Sequence, residues 1–82
     1  MKIRGGLQLL DRFDINKKYM FSKEIALKDK LVKNKYNSQP LTKAWIDYAD
    51  GKIVEVVDKY FATLDYPIKT LTICPWWCVE IN

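Results

Sequence analysis

Residues 41–66 read LTKAWIDYADGKIVEVVDKYFATLDY, and whether this stretch coils or extends decides the fold. Leu41, Ala44, Trp45, Tyr48 and Ala49 recur at i, i+3, i+4, i+7 and i+8, the spacing of one helix face. Ile53, Val56, Val57, Tyr60, Phe61 and Leu64 repeat that spacing after Asp50-Gly51. A single helix would swing its apolar stripe by roughly a right angle at that dipeptide. Gly51 therefore reads as a left-handed stop between two helices, 41–49 and 53–65. The rival is a β-hairpin across Asp50-Gly51, a strong two-residue turn signal. Ile53, Val54, Val56 and Val57 favour it, being β-branched and stiff in a helix. Neither arm alternates, however, and KAWIDY paired with IVEVVD would bury charge on both faces. The expectation is two helices.

Upstream, residues 16–21 (NKKYMF) read as a turn into a helix over 22–36. Ser22 suits its N-cap and Glu24 its positive end. Its amphipathicity is poor, because Leu27 and Leu31 sit away from the face shared by Ile25, Val32 and Tyr36. Pro40 ends it by pushing Gln39 out of the helical region. Before that, Leu7, Leu9, Phe13 and Ile15 alternate after Gly5-Gly6, which suggests a strand over 7–13. Downstream, Pro67 stops the second helix, and IKTLTIC (68–74) is an alternating, β-branched strand. Val79 and Ile81 continue the pattern beyond Pro75, so 68–82 reads as a C-terminal hairpin. The expected fold is α+β in a single domain, 1–82. A small antiparallel sheet, from the 68–82 hairpin with 7–13 able to join it, packs against two or three helices (22–36, 41–49, 53–65).

Eighty-two residues make one domain with a thin core. Three Trp, five Tyr and three Phe compensate, since each buried ring removes roughly 150–250 Å² from water. No run approaches the ~18 apolar residues of a membrane span. Leu7 to Leu10, broken by Gln8, is shorter than a signal-peptide core of about 7–15 residues. A soluble, cytoplasmic (intracellular) protein is expected.

Function has few handles. The chain has no His, which removes the usual general base near neutral pH and the commonest zinc ligand. Asp11 and Asp14, or Asp47 and Asp50, could share a helix face, but nothing joins them to a nucleophile or a phosphate loop. No enzymatic activity, metal or cofactor is expected. Cys74 and Cys78 are spaced C-x-x-x-C, not the C-x-x-C of thiol redox sites, and their flanks read as strand. Reduced thiols packed as small hydrophobes are the plainer reading, with a disulfide between the two and then a thiol redox role as alternatives. A helix-turn-helix over 41–65 fails on charge, because Glu55, Asp58 and Asp65 would face phosphate.

Two surfaces remain. Trp76 and Trp77 are adjacent and cannot both enter one small core. With Tyr66 they are the candidates for a protein interface, where Trp contributes much of the binding energy. Residues 1–35 hold ten Lys or Arg against four Asp or Glu, whereas 36–82 hold four against six. The basic half contains Lys17, Lys18, Lys23, Lys28, Lys30, Lys33 and Lys35, interleaved with Tyr19, Phe21 and Tyr36. An acidic protein surface or single-stranded nucleic acid would suit that cluster. Only Arg4 and Arg12 are Arg, so base-specific reading by bidentate guanidinium is disfavoured. The expectation is a small protein-binding accessory or inhibitory module. Sequence-independent nucleic-acid binding is the alternative, and a homodimer would complete the thin core.

Overall fold

In the computed structural model, residues 10–67 and 69–81 are described. The elements run β1 (Lys18–Phe21), α1 (Lys23–Ala26), α2 (Lys30–Ser38), α3 (Pro40–Ala49), β2 (Ile53–Val56), β3 (Ala62–Tyr66), β4 (Lys69–Ile73), a 3-10 turn (Pro75–Trp77) and β5 (Cys78–Ile81). The five strands form one antiparallel sheet in the order β4-β3-β2-β1-β5, with all three helices in the β1–β2 connection. The α+β class read from the sequence holds.

The sheet is bent at β2. Ile53 and Val54 pair with Met20 and Tyr19 of β1, whereas Glu55 and Val56 pair with Thr63 and Ala62 of β3. One strand thus turns the corner between a β5-β1-β2 layer and a β2-β3-β4 layer. Chain connectivity requires this. β4 and β5 are opposite edges of the sheet, yet only Cys74 to Trp77 join them. In a flat sheet those edges would lie about 19 Å apart. Three of the four linking residues rise only ~2.0 Å each, so the edges meet their linker only if the layers fold toward each other.

Between the layers lies the core: Phe13, Tyr19, Phe21, Val54, Ala62, Leu71, Ile73 and Cys78, closed by Ala26 of α1 and Ile46 and Ala49 of α3. Strand alternation supplies it, with Tyr19 and Phe21 inward from β1 and Leu71 and Ile73 inward from β4.

Several expectations are corrected. The helix over 53–65 is replaced by β2, a turn and β3. Half of its supposed stripe lies on the surface, with Ile53, Val57 and Tyr60 all exposed. The β-branched residues prevail, and Asp58 fixes the turn by accepting from Tyr60 N at 2.7 Å and Phe61 N at 3.2 Å. The Asp50-Gly51 hairpin is absent too. Gly51 takes φ +84° after α3, the left-handed stop read from the sequence.

The helix over 22–36 is two. Ser22 caps α1 by accepting from Ile25 N, and Asp29 starts α2 by accepting from Leu31 N at 2.9 Å. Residues 18–21, read as a turn, are the interior strand β1 between β2 and β5, too short for a period of two to stand out. The C-terminal strands exist but do not form a hairpin. β4 pairs with β3 and β5 with β1, because the 3-10 turn carries the chain from one edge to the other. Of the 7–13 strand, residues 7–9 lie outside the described residues and 10–13 are not strand. Phe13 is nevertheless buried, its N–H donating to Lys59 O at 2.8 Å.

Candidate functional site

The two adjacent tryptophans part company in the 3-10 turn. Trp76 stays 43% exposed. Trp77 turns inward, its ring 5.9 Å from Trp45 and 6.3 Å from Phe21. Phe21 and Trp45 complete the triangle at 5.7 Å. Trp77 Nε1 is enclosed and finds no acceptor among the described residues, an arrangement that costs about 1–3 kcal/mol.

Trp45 and Trp77 line a groove of about 190 Å³ with Val32, Lys35, Gln39 and Thr42. Trp45 also lines a neighbouring cleft of about 90 Å³ with Leu41, Tyr66 and Lys69. Tyr66 stands edge-on to Tyr48 at 5.0 Å, and Lys52 Nζ lies 4.5 Å from the Tyr48 ring centre. An aromatic strip thus runs from Trp77 through Trp45 to Tyr66 and Tyr48. The helix explains it: Leu41, Trp45 and Tyr48 are i, i+4 and i+7, one flank of α3 beside its buried face of Ile46 and Ala49. Leu41 is 81% exposed. Among the described residues no carboxylate lines the groove or the cleft, while Lys35 and Lys69 each line one.

The opposite flank of α3 is a clip between helices. Asp47 accepts from Tyr36 OH at 2.7 Å, Lys23 Nζ at 3.1 Å and Lys43 Nζ at 3.1 Å, and Lys43 also donates to the Tyr36 hydroxyl at 3.1 Å. The Tyr36 hydrogen bond, followed by those of the two lysines, lowers the Asp47 carboxyl to about 2. Lys23 is raised, chiefly by its bond to Asp47, and Lys43 chiefly by Tyr36. Each of the four side chains is bonded to at least one other, so the cluster ties α1, α2 and α3 together.

Of the sequence candidates, the fold gathers Trp77, Tyr66 and Lys35 around Trp45. It disperses the other lysines. Lys17 pairs with Glu80 at 3.6 Å, Lys18 lies on β1, and Lys23 is committed to Asp47. Lys28 sits between α1 and α2, and Lys30 and Lys33 are exposed on α2. Sequence reasoning missed Leu41, Trp45 and Lys69. Leu41 and Trp45 fall within the stripe that the sequence marks as the helix's core face, and no local signal separates them from it, because the face that is buried centres on Ile46 and Ala49.

Cys74 and Cys78 are free thiols. Burial raises both, Cys78 to about 12, and its Sγ donates to the Cys74 carbonyl at 3.7 Å. A redox nucleophile needs the reverse shift. Among the described residues no cluster of three or more His, Cys, Asp or Glu could hold a metal ion, and no helix is long and apolar enough to cross a membrane. Comparison with protein-family models, curated proteins and solved structures finds no match to this chain.

Proposed function

We propose that this protein is a small binding module, accessory or inhibitory in role, that recognises an acidic protein segment along the Trp77–Trp45–Tyr66 strip. The observation that carries the reading is the pairing of apolar and charged character there. Leu41, Trp45, Trp77 and Tyr66 offer rings and an exposed aliphatic chain, with Lys35 and Lys69 beside them and, among the described residues, no carboxylate in either lining. Half-buried aromatics in clefts are where interface energy concentrates, and a partner's Asp and Glu would meet lysine at the edges. Trp76 is exposed on the same 3-10 turn but lines neither the groove nor the cleft. The basic N-terminal half, ten Lys or Arg against four Asp or Glu over residues 1–35, would steer an acidic partner toward it.

Selection from a displayed library of random peptides tests this. Peptides that carry Leu, Phe or Trp among Asp and Glu should be enriched, and enrichment of basic or purely polar peptides would contradict the reading.

A second reading rests on the same strip, because rings beside lysines also serve single-stranded nucleic acid. Titration of tryptophan fluorescence with oligothymidylate separates the two. Affinity for the oligonucleotide that falls steeply with salt would favour the second reading.

A further inference from the structure

We propose that the groove between the Arg12–Ile15 segment and the Val57–Lys59 turn is the interface through which two copies of this chain pair about a twofold axis. The groove holds about 560 Å³. Its apolar side chains are Phe13, Ile15 and Val57, and its charged ones are Arg12, Asp14, Asp58 and Lys59. Ile15 is 72% exposed and Val57 47%, and Tyr60, next along the turn, is 64% exposed. Large apolar side chains left this open on so small a chain mark a surface that another molecule covers.

Charge identifies that molecule. Two basic and two acidic residues give the groove no net charge. A twofold axis sets the same patch against itself, so Arg12 and Lys59 of one copy can face Asp14 and Asp58 of the other while the apolar residues meet between them. The lysine-lined aromatic strip cannot pair in this way, since Lys35 and Lys69 would meet like charge. The groove walls are also fixed in advance. Phe13 N donates to Lys59 O at 2.8 Å, Asp14 N to the Tyr19 hydroxyl at 2.8 Å, and Asp14 and Asp58 accept from backbone N–H groups of Asn16, Tyr60 and Phe61. Little ordering is then left for association to oppose.

Sedimentation equilibrium across a dilution series tests the proposal. The wild-type chain should show twice the monomer mass at high concentration and dissociate on dilution. Ile15→Glu and Val57→Glu, both at exposed positions, should raise the dissociation constant roughly tenfold or more, with a thermal melt matching wild type at dilutions where wild type is monomeric. Lys59→Glu, whose side chain lies over the Tyr60 ring, should also weaken the pair, and added salt should relieve that weakening. A wild-type chain that stays monomeric throughout would overturn the proposal, as would a dimer that all three variants leave intact. Leu41→Asp, on the aromatic strip, should dimerise like wild type, so a failure of peptide recognition and a failure of pairing are told apart.

Discussion

At the scale of single residues, neighbouring side chains of like chemistry do different work. Trp77 packs against Phe21 and Trp45, whereas Trp76 is 43% exposed. Trp77→Ala should therefore cost about 3 kcal/mol, the range of a large ring removed from a core. Trp76→Ala should cost less than about 1 kcal/mol. Urea unfolding of the two variants checks the split, and alanine at Trp77 reports on stability before it reports on binding. That two adjacent tryptophans must diverge was legible from the alternation of a chain. Which of them goes inward was not, because the 3-10 turn and the Phe21–Trp45 pair that receives the ring are tertiary. Asp47 gives a second test. Its carboxyl is lowered to about 2, so its contribution to stability is complete above the ordinary value of 3.8 and lost as pH falls through about 2. Lys23 and Lys43 are raised, so theirs is complete below the ordinary 10.5 and lost as pH rises beyond it. Asp47→Asn should lie below wild type in urea midpoint at neutral pH. The gap should close on acidification between about pH 4 and pH 2.

Among the elements, the turn at Asp50-Gly51 shows how local and tertiary signals divide the fold. Gly51 N donates to Phe21 O and Phe21 N to Lys52 O, both at 3.0 Å, while Asp50 Oδ1 accepts from Lys23 N at 2.9 Å. The stop after α3 is thereby fastened to the end of β1. A Cβ at Gly51 would meet nothing within 4 Å, so Gly51→Ala isolates the backbone cost of φ +84°. A loss of roughly 1–2 kcal/mol is expected in thermal or urea unfolding, with the fold unchanged. This turn was legible because glycine is a local cause. The α3 span was legible for the same reason, whereas Pro40, read as the end of the preceding helix, is the first residue of α3. Residues 53–65 were not, since six apolar residues fell at helical spacing while only Val54 and Ala62 of that region are fully buried. The pairing of β2 with both β1 and β3 settles their conformation, and no window of sequence contains those partners. The same holds for the C-terminal strands, whose alternation was evident while their separation to opposite edges was not.

For the whole molecule, a four-residue link between the edge strands folds the sheet into two layers and leaves the helical connection to cover one side. That cover is incomplete. Along the α3 flank it leaves Leu41, Trp45 and Tyr66 beside Lys69, and Trp77 beside Lys35. Trp77, Tyr66 and Lys35 are candidates from the sequence alone, whereas Leu41, Trp45 and Lys69 join them only through the fold, by the bend at β2 and the short link that returns Trp77 to the helix. The lysines of the basic N-terminal cluster divide accordingly, with Lys35 at the strip, Lys17 and Lys23 in ion pairs, Lys18 on β1, Lys28 between α1 and α2, and Lys30 and Lys33 on α2. The most direct measurement is the affinity of a selected acidic, Leu- or Phe-bearing peptide for wild type, Leu41→Asp and the Lys35→Glu/Lys69→Glu double variant, with melting curves recorded alongside. Both variants should melt within a few degrees of wild type and bind at least about tenfold more weakly. Undiminished binding by both would place recognition elsewhere on the molecule and contradict the assignment of the aromatic strip.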